Sequence, residues 1–266
     1  MPSKTEWIER RSLEALHEGA SADVRAQTGL VLHQIDGAAV SVCAAGGGIL
    51  LNRVIGLGLN GPATKDGIAR IKEIYADAGV PRYFIHIAPE AEPRIDIREM
   101  LTDAGLIKAR GWMKFSRDNA PAAPAKSDLT VREIDASHKD DFAHICGPAF
   151  GIGEAAWPAL GALVNHPNWH IFMSFDGDTP AGVGGLYVED GAAVTDYGAT
   201  DPAFRQRGSQ SVVLAARIEK ARELGVGLIT TETGEAVDGD AQHSYGNILK
   251  RGFREDYLRE NWAPSQ

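Results

Sequence analysis

Residues 192–210 read AAVTDYGATDPAFRQRGSQ, and residues 211–225, SVVLAARIEKARELG, follow them. The first nine form a strand-like run that Asp201 and Pro202 break, and the stretch beyond is apolar at Val212, Val213, Ala216 and Ile218, as a helix would be. Between strand and helix lies RQRGSQ, residues 205–210. A helix start presents backbone N–H groups with no intrahelical partner and the positive end of the helix dipole, so this junction is a site for a phosphate. Gly208 leaves room where a ligand would press, and Arg205 and Arg207 add positive charge and paired donors beside it.

The same order of elements is expected upstream. NRVIGLGL is followed by the loop NGPATKDG, the helical pattern IARIKEIYADAG, the strand-like RYFIHIAP, a short helix IREMLTDAGL and a closing strand ARGWMKFSR. After residue 192 the matching order is AAVTDYGAT, DPAFRQRGSQ, SVVLAARIEKARELG, GLITTETG, SYGNILKRGF and REDYLRENW. The helix-ending glycines Gly79 and Gly225 are 146 apart and Gly105 and Gly252 are 147 apart, with Trp112 and Trp262 closing the two runs. Such a shared offset marks an internal repeat. Between the halves, SRDNAPAAPAKSD (residues 116–128) is rich in Ala and Pro and reads as a linker.

The repeat decides how to read Gly56, Gly58 and Gly61, which spell GxGxxG within RVIGLGLNGPA (residues 53–63). A dinucleotide fingerprint needs an acidic residue ending the next strand, about 20 residues on. RYFIHIAP ends without one, and Glu90 comes only after Pro89. The glycines are therefore expected to form a mobile strand-to-helix turn at the place where the second half carries RQRGSQ.

With 266 residues, 44% apolar and 24% charged, the chain is long enough for one large or two small domains with a real core. The net charge of −9 falls wholly after residue 118, which argues against a nucleic-acid partner. An acidic surface kept for solubility, or a cationic small molecule, accounts for it. The amino-terminal stretch has no apolar signal region and no run is long enough to span a bilayer, so no membrane association and a cytoplasmic protein are expected. Cys43 and Cys146 have no disulfide or ligand spacing and read as small buried hydrophobes.

RQRGSQ, after a strand and Asp-Pro and before a helix, resembles the R/Q-x-x-G-x-G/A pyrophosphate loop of the GCN5-related N-acetyltransferases (GNAT). SYGNILKRGF (residues 244–253) resembles that family's C-terminal motif, a helix carrying Ser and Asn followed by Gly-Phe and a last strand. The resemblance covers residues 129–262, and the first half looks like a second, degenerate copy without an arginine beside its glycines. It implies an α/β (α+β) protein of two tandem GNAT-like domains, residues 1–118 and 129–266 with a linker at 119–128, each a mixed, mostly antiparallel sheet flanked by helices. It implies acetyl-CoA as cofactor, held by Arg205, Gln206, Arg207, Gly208, Ser209 and Gln210, by the backbone of Ala199 and Thr200, and by Ser244 and Asn247. Gln210 departs from the Gly or Ala commonest at its position, where it could crowd a phosphate or bond to it. Ile248 stands where many members place a Tyr that protonates the departing thiolate, so the acid is missing or has moved to Tyr245, with Tyr197 and Tyr257 as alternates.

Acetyl transfer from a thioester to an amine needs a neutral amine, a polarised carbonyl and a stabilised thiolate. Backbone N–H groups before the loop can polarise the carbonyl. Asp196 and Glu232 are the candidate bases, Asp196 preferred because its strand borders the expected acceptor cleft; an ion-paired Asp196 and a solvated Glu232 are the alternative readings. In the Gly-rich GPAFGIGEAAW (residues 147–157), Phe150, Glu154 and Trp157 are candidate acceptor contacts, the alternative being aromatics packed on the sheet. His166 and His170 lie four apart but with Pro167 between them, and no metal site is expected. The expected activity is acetyl transfer to an amine of a small molecule or protein, in a chain that could be a homodimer. The rivals are a catalytically inactive acyl-CoA-binding regulatory module and a nicotinamide enzyme using Gly56–Gly61.

Overall fold

Where the sequence repeats, the backbone repeats. Gly79 and Gly225 take φ of +67° and +70°, and the next residue in each case bonds back five positions, Val80 to the Tyr75 carbonyl at 2.8 Å and Val226 to Ala221 at 2.9 Å. This left-handed exit, open cheaply only to glycine, ends helices α4 (Lys65–Asp77) and α8 (Ser209–Glu223). The computed structural model describes residues 3–91, 97–239 and 243–265.

The chain begins with α1 (Lys4–Gly19), whose first turn is capped by Ser3, and α2 (Ala22–Thr28). Strands β1 (Leu30–Ile35) and β2 (Ala38–Cys43) form a hairpin; a short α3 (Gly48–Leu51) leads to β3 (Arg53–Ile55), α4, β4 (Phe84–Ile87), α5 (Ile97–Asp103) and β5 (Leu106–Arg117). Residues 118–128 have no regular structure. Then follow β6 (Thr130–Glu133), α6 (Lys139–Ala149), α7 (Trp157–Gly161), β7 (Trp169–Asp176), β8 (Thr179–Glu189), β9 (Ala192–Thr200), α8, β10 (Leu228–Gly234), α9 (His243–Lys250) and β11 (Arg254–Pro264).

Among the described residues eleven strands make one mixed, mostly antiparallel sheet, in the order β1-β2-β3-β4-β11-β5-β10-β9-β8-β7-β6. The expected architecture, a mixed sheet flanked by helices, is present, and the strands of both halves share it. The joint is an exchange of closing strands: β11 lies between β4 and β5, and β5 lies between β11 and β10. The parallel pairs are β3 with β4 and β9 with β10.

Neighbouring strand residues face opposite sides of a sheet. Ala192 and Val194 enter a core with α1, α2, α6 and α7, whereas Ala193 enters a core with α8 and α9. Likewise Cys43 and Ile55 join the first core, while Val42 and Val54 pack on α4 and α5. So α1, α2, α6 and α7 cover one face and α4, α5, α8 and α9 the other. The first core takes residues from both halves. Among the described residues no helix is long and apolar enough to cross a membrane.

Candidate functional site

β9 and β10 pair only from Ala192 opposite Leu228 to Val194 opposite Thr230. Beyond that point β10 stays paired with β5 and β9 with β8, so the two strands part towards their carboxyl ends. α8 begins at that end. Its first residue follows Gly208, which has φ of +84°, and no side chain among the described residues caps it. Its first-turn amides therefore keep their capacity for an anion.

The matching helix in the first half is closed by its own side chains. Thr64 Oγ1 accepts the Gly67 N–H at 2.9 Å, and Asp36 Oδ2 accepts the Thr64 N–H and hydroxyl, both at 2.8 Å. A Cβ on Gly67 would lie 2.0 Å from that Asp36 oxygen. A carboxylate thus already stands where a phosphate would sit. The GxGxxG glycines upstream, with φ of +91°, +80° and +138°, shape the turn from β3 to α4.

The loop residues divide in their commitments. Arg205 and Gln206 are exposed, and among the described residues no carboxylate pairs with Arg205. Arg207 is committed to Asp176 at 2.7 Å and to Asp128 at 3.1 Å. Gly208 makes room for the chain itself: a Cβ there would lie 2.5 Å from the Lys126 carbonyl oxygen, and Ser127 Oγ donates to the Arg207 carbonyl at 2.6 Å. The linker, rather than a ligand, presses on this glycine. The buried Ser209 hydroxyl meets Ser174 Oγ at 2.8 Å and Thr200 Oγ1 at 3.4 Å. Gln210 bridges α8 to α9, receiving a bond from Asn247 Nδ2 at 2.8 Å and donating to Ser244 Oγ at 3.2 Å.

The two candidate bases come together across the divergence, on the α1 face. Arg53 bridges them, with Nη2 3.5 Å from Asp196 Oδ2 and Nη1 3.3 Å from Glu232 Oε1. Asp196 also accepts the N–H of Tyr197 at 2.7 Å, so its place is an ion-paired and backbone-bonded one. Glu232, expected as an alternative to be solvated, is nearly buried and meets Arg259 at 2.7 Å and Lys114 at 2.8 Å.

Sequence reasoning missed the rest of this charged layer. Glu9 of α1, fully buried, lies 2.6 Å from Lys114 Nζ, 3.1 Å from Arg53 Nη1 and 3.0 Å from Arg259 Nη2. Glu6 accepts from the Tyr257 hydroxyl at 2.5 Å and from Arg259 at 3.3 Å. Burial acts to raise the Glu9 carboxyl, but Arg259, Lys114 and Arg53 together hold it well below the usual range. Burial, with the charge of Glu9 nearby, raises Glu232. One signal was available: Lys114 and Arg259 are charged residues in strand-like runs, 145 apart and so near the offset of the repeat.

Tyr245 is turned elsewhere. Its ring packs edge-on against Phe115 and its hydroxyl donates to Glu255 Oε1 at 2.6 Å, at the start of β11 and two strands beyond β10. Tyr197 is a buried core residue, and Ile248, on α9, is buried in the core that α9 shares with α8. Phe150 lines a cavity of about 320 Å³ with Cys43, Gly48 and Arg82. Glu154 and Trp157 line a separate groove of about 620 Å³ with Ser21, Lys139 and His144. Neither hollow is lined by Asp196 or Glu232. The Gly-rich segment is pinned to the first half, the Gly153 N–H bonding to the Gly46 carbonyl at 2.8 Å. His166 and His170 face Glu18 and Glu133 respectively.

No family model matches the chain, and no curated protein matches it. Solved structures do. A GCN5-related N-acetyltransferase from Kribbella flavida is similar over 97% of this chain and 96% of its own, with a TM-score of 0.64 at 13% identity. A GCN5-related N-acetyltransferase from Sphaerobacter thermophilus matches 75% of this chain and 65% of its own (TM-score 0.55, 12% identity). A functionally unknown conserved protein from Staphylococcus epidermidis matches 85% of this chain and 90% of its own (TM-score 0.56, 11% identity). The likeness to the Kribbella structure spans both halves.

Proposed function

We propose that this chain, which has the fold of the GCN5-related N-acetyltransferases, binds acetyl-CoA in its C-terminal half and transfers the acetyl group to an amine of a small molecule or a protein. The observation that carries the reading is the uncapped start of α8 beside the uncommitted Arg205, at the end where β9 and β10 part. Acetyl-CoA supplies an acyl group already activated as a thioester. Arg205 and the first-turn amides of α8 would hold its diphosphate. The backbone of Ala199 and Thr200 would face the pantetheine arm, and Ser244 and Asn247 would line the gap between α8 and α9 once Gln210 turns aside.

Asp196 and Glu232 both stand as candidate bases in this reading: Asp196 is held by Arg53 and the Tyr197 N–H, and Glu232, whose carboxyl burial raises, is held by Arg53, Lys114 and Arg259. With Ile248 buried and the Tyr245 hydroxyl committed to Glu255, the thiolate takes its proton from solvent in this reading. The first half is a degenerate copy, its α4 start filled by Asp36 and Thr64.

The second reading, an inactive acyl-CoA-binding regulatory module, draws on the three cations that surround Glu232. The test is release of CoA thiol from acetyl-CoA in the presence of a panel of amines. Amine-dependent release supports the enzyme, binding without release supports the module, and no binding contradicts both.

A further inference from the structure

β9 does not run straight through the divergence. Gly185 pairs with Asp196 and Val183 with Ala199, so Tyr197 and Gly198 together oppose Gly184 in a bulge. Tyr197 takes φ of +55°, a conformation that a large side chain adopts only when its surroundings impose it. On the α1 face, Asp196 Oδ1 accepts the Tyr197 N–H at 2.7 Å, and the Tyr197 ring meets Trp169 and Phe142 edge-on.

The opposite face holds Arg217 of α8. Its Nη1 donates to the Gly185 carbonyl at 3.0 Å and to the Asp196 carbonyl at 3.1 Å, the two residues paired where the bulge begins, while Nε donates to Val213 at 3.4 Å. Arg217 is 4% exposed, and among the described residues no carboxylate forms an ion pair with it. Burial pushes its pKa down to about 10, against a weaker pull from Asp196. The strands make space for it: a Cβ on Gly184 would lie 2.7 Å from Cζ, and one on Gly198 3.5 Å from Nη2. A guanidinium buried without an anion is costly unless backbone acceptors satisfy it. What it holds is the bulge.

We propose that Arg217 is a positioning residue that fixes the β9 bulge, so that the backbone amide of Gly198, the bulge amide that Asp196 does not hold, faces the thioester carbonyl of the acyl donor. The inference rests on the acyl-CoA reading above. Its test is isotope-edited infrared spectroscopy of acetyl-CoA labelled with carbon-13 at the acetyl carbonyl, bound to the full chain. Bound to the wild type, the carbonyl band moves to lower frequency than in free acetyl-CoA, as hydrogen bonding to it requires. Arg217→Met and Arg217→Lys keep acetyl-CoA affinity within about threefold, because the proposed diphosphate contacts lie in the first turn of α8, whereas Arg217 is near its middle, but the band returns towards its free position. Lys retains the charge but ends one bond short of the Nη1 position that meets both carbonyls, so it separates bulge geometry from charge and guards against misfolding of the Met variant. A band shift unchanged in a folded variant overturns the proposal while leaving the cofactor site intact. A wild-type band at the free position overturns it without any variant. Absence of binding by the wild type removes the acyl-CoA reading itself.

Discussion

Glu9 is a carboxylate enclosed by Arg53, Lys114 and Arg259, and removing its charge leaves buried cations short of a partner. Glu9→Gln is expected to cost about 3–5 kcal/mol, read as a lowered urea midpoint; a loss under about 1 kcal/mol would mean that Glu232 and Glu6 suffice. His17 makes a second, pH-dependent prediction. Ser41 Oγ gives its proton to the Leu51 carbonyl and so accepts from His17 Nε2 at 2.8 Å. Burial, aided by Arg25, lowers the His17 pKa to about 4, so the folded ring is neutral while the unfolded chain takes up a proton near pH 6.5. Its contribution, up to about 3 kcal/mol, is present above pH 6.5 and lost as pH falls from there to about 4. Unfolding at pH 7 and pH 5 should therefore differ less in His17→Gln than in the wild type, and an equal difference would remove His17 from the account. At this scale the junction between β9 and α8 was legible, because Asp-Pro after a strand and glycine before a helix have a direct local meaning. Partners were not: Gly208 was read as making room for a ligand, but the neighbour in its Cβ direction is Lys126, which the chain brings there from a distance no local pattern encodes.

The helices were legible as elements, since apolar spacing, caps and left-handed glycines are local. What separates α8 from α4 is not local: Asp36, in the turn between β1 and β2 and 28 residues before Thr64, fills the α4 start. At the other helix, Gln210 ties α8 to α9 through Ser244 and Asn247. If that tie must open for the cofactor, Gln210→Gly should bind CoA about tenfold more tightly, and calorimetry giving equal or weaker binding would make Gln210 a ligand contact instead. The bulge in β9 and the divergence of β9 from β10 were invisible, since both are decided by which strands remain paired on the outer sides.

The repeat of the sequence reappears in the order of elements, but the exchange of β5 and β11 could not be read from it, because either pairing satisfies the same alternation of residues. Its consequence is mutual dependence. Residues 129–266 alone would leave β10 without β5 and the α6 core without α1 and α2, exposing a sheet edge and apolar surface. That fragment is expected to aggregate or remain unfolded, and cooperative unfolding of the isolated fragment would contradict the exchange as a stabilising feature. The whole molecule then holds two helix starts in equivalent places, one filled by a carboxylate and one open. Isothermal titration of the full chain with acetyl-CoA reads this asymmetry directly. One site per chain, abolished by Arg205→Glu, is the predicted result; two sites, or none, would contradict the assignment of the cofactor to α8 alone.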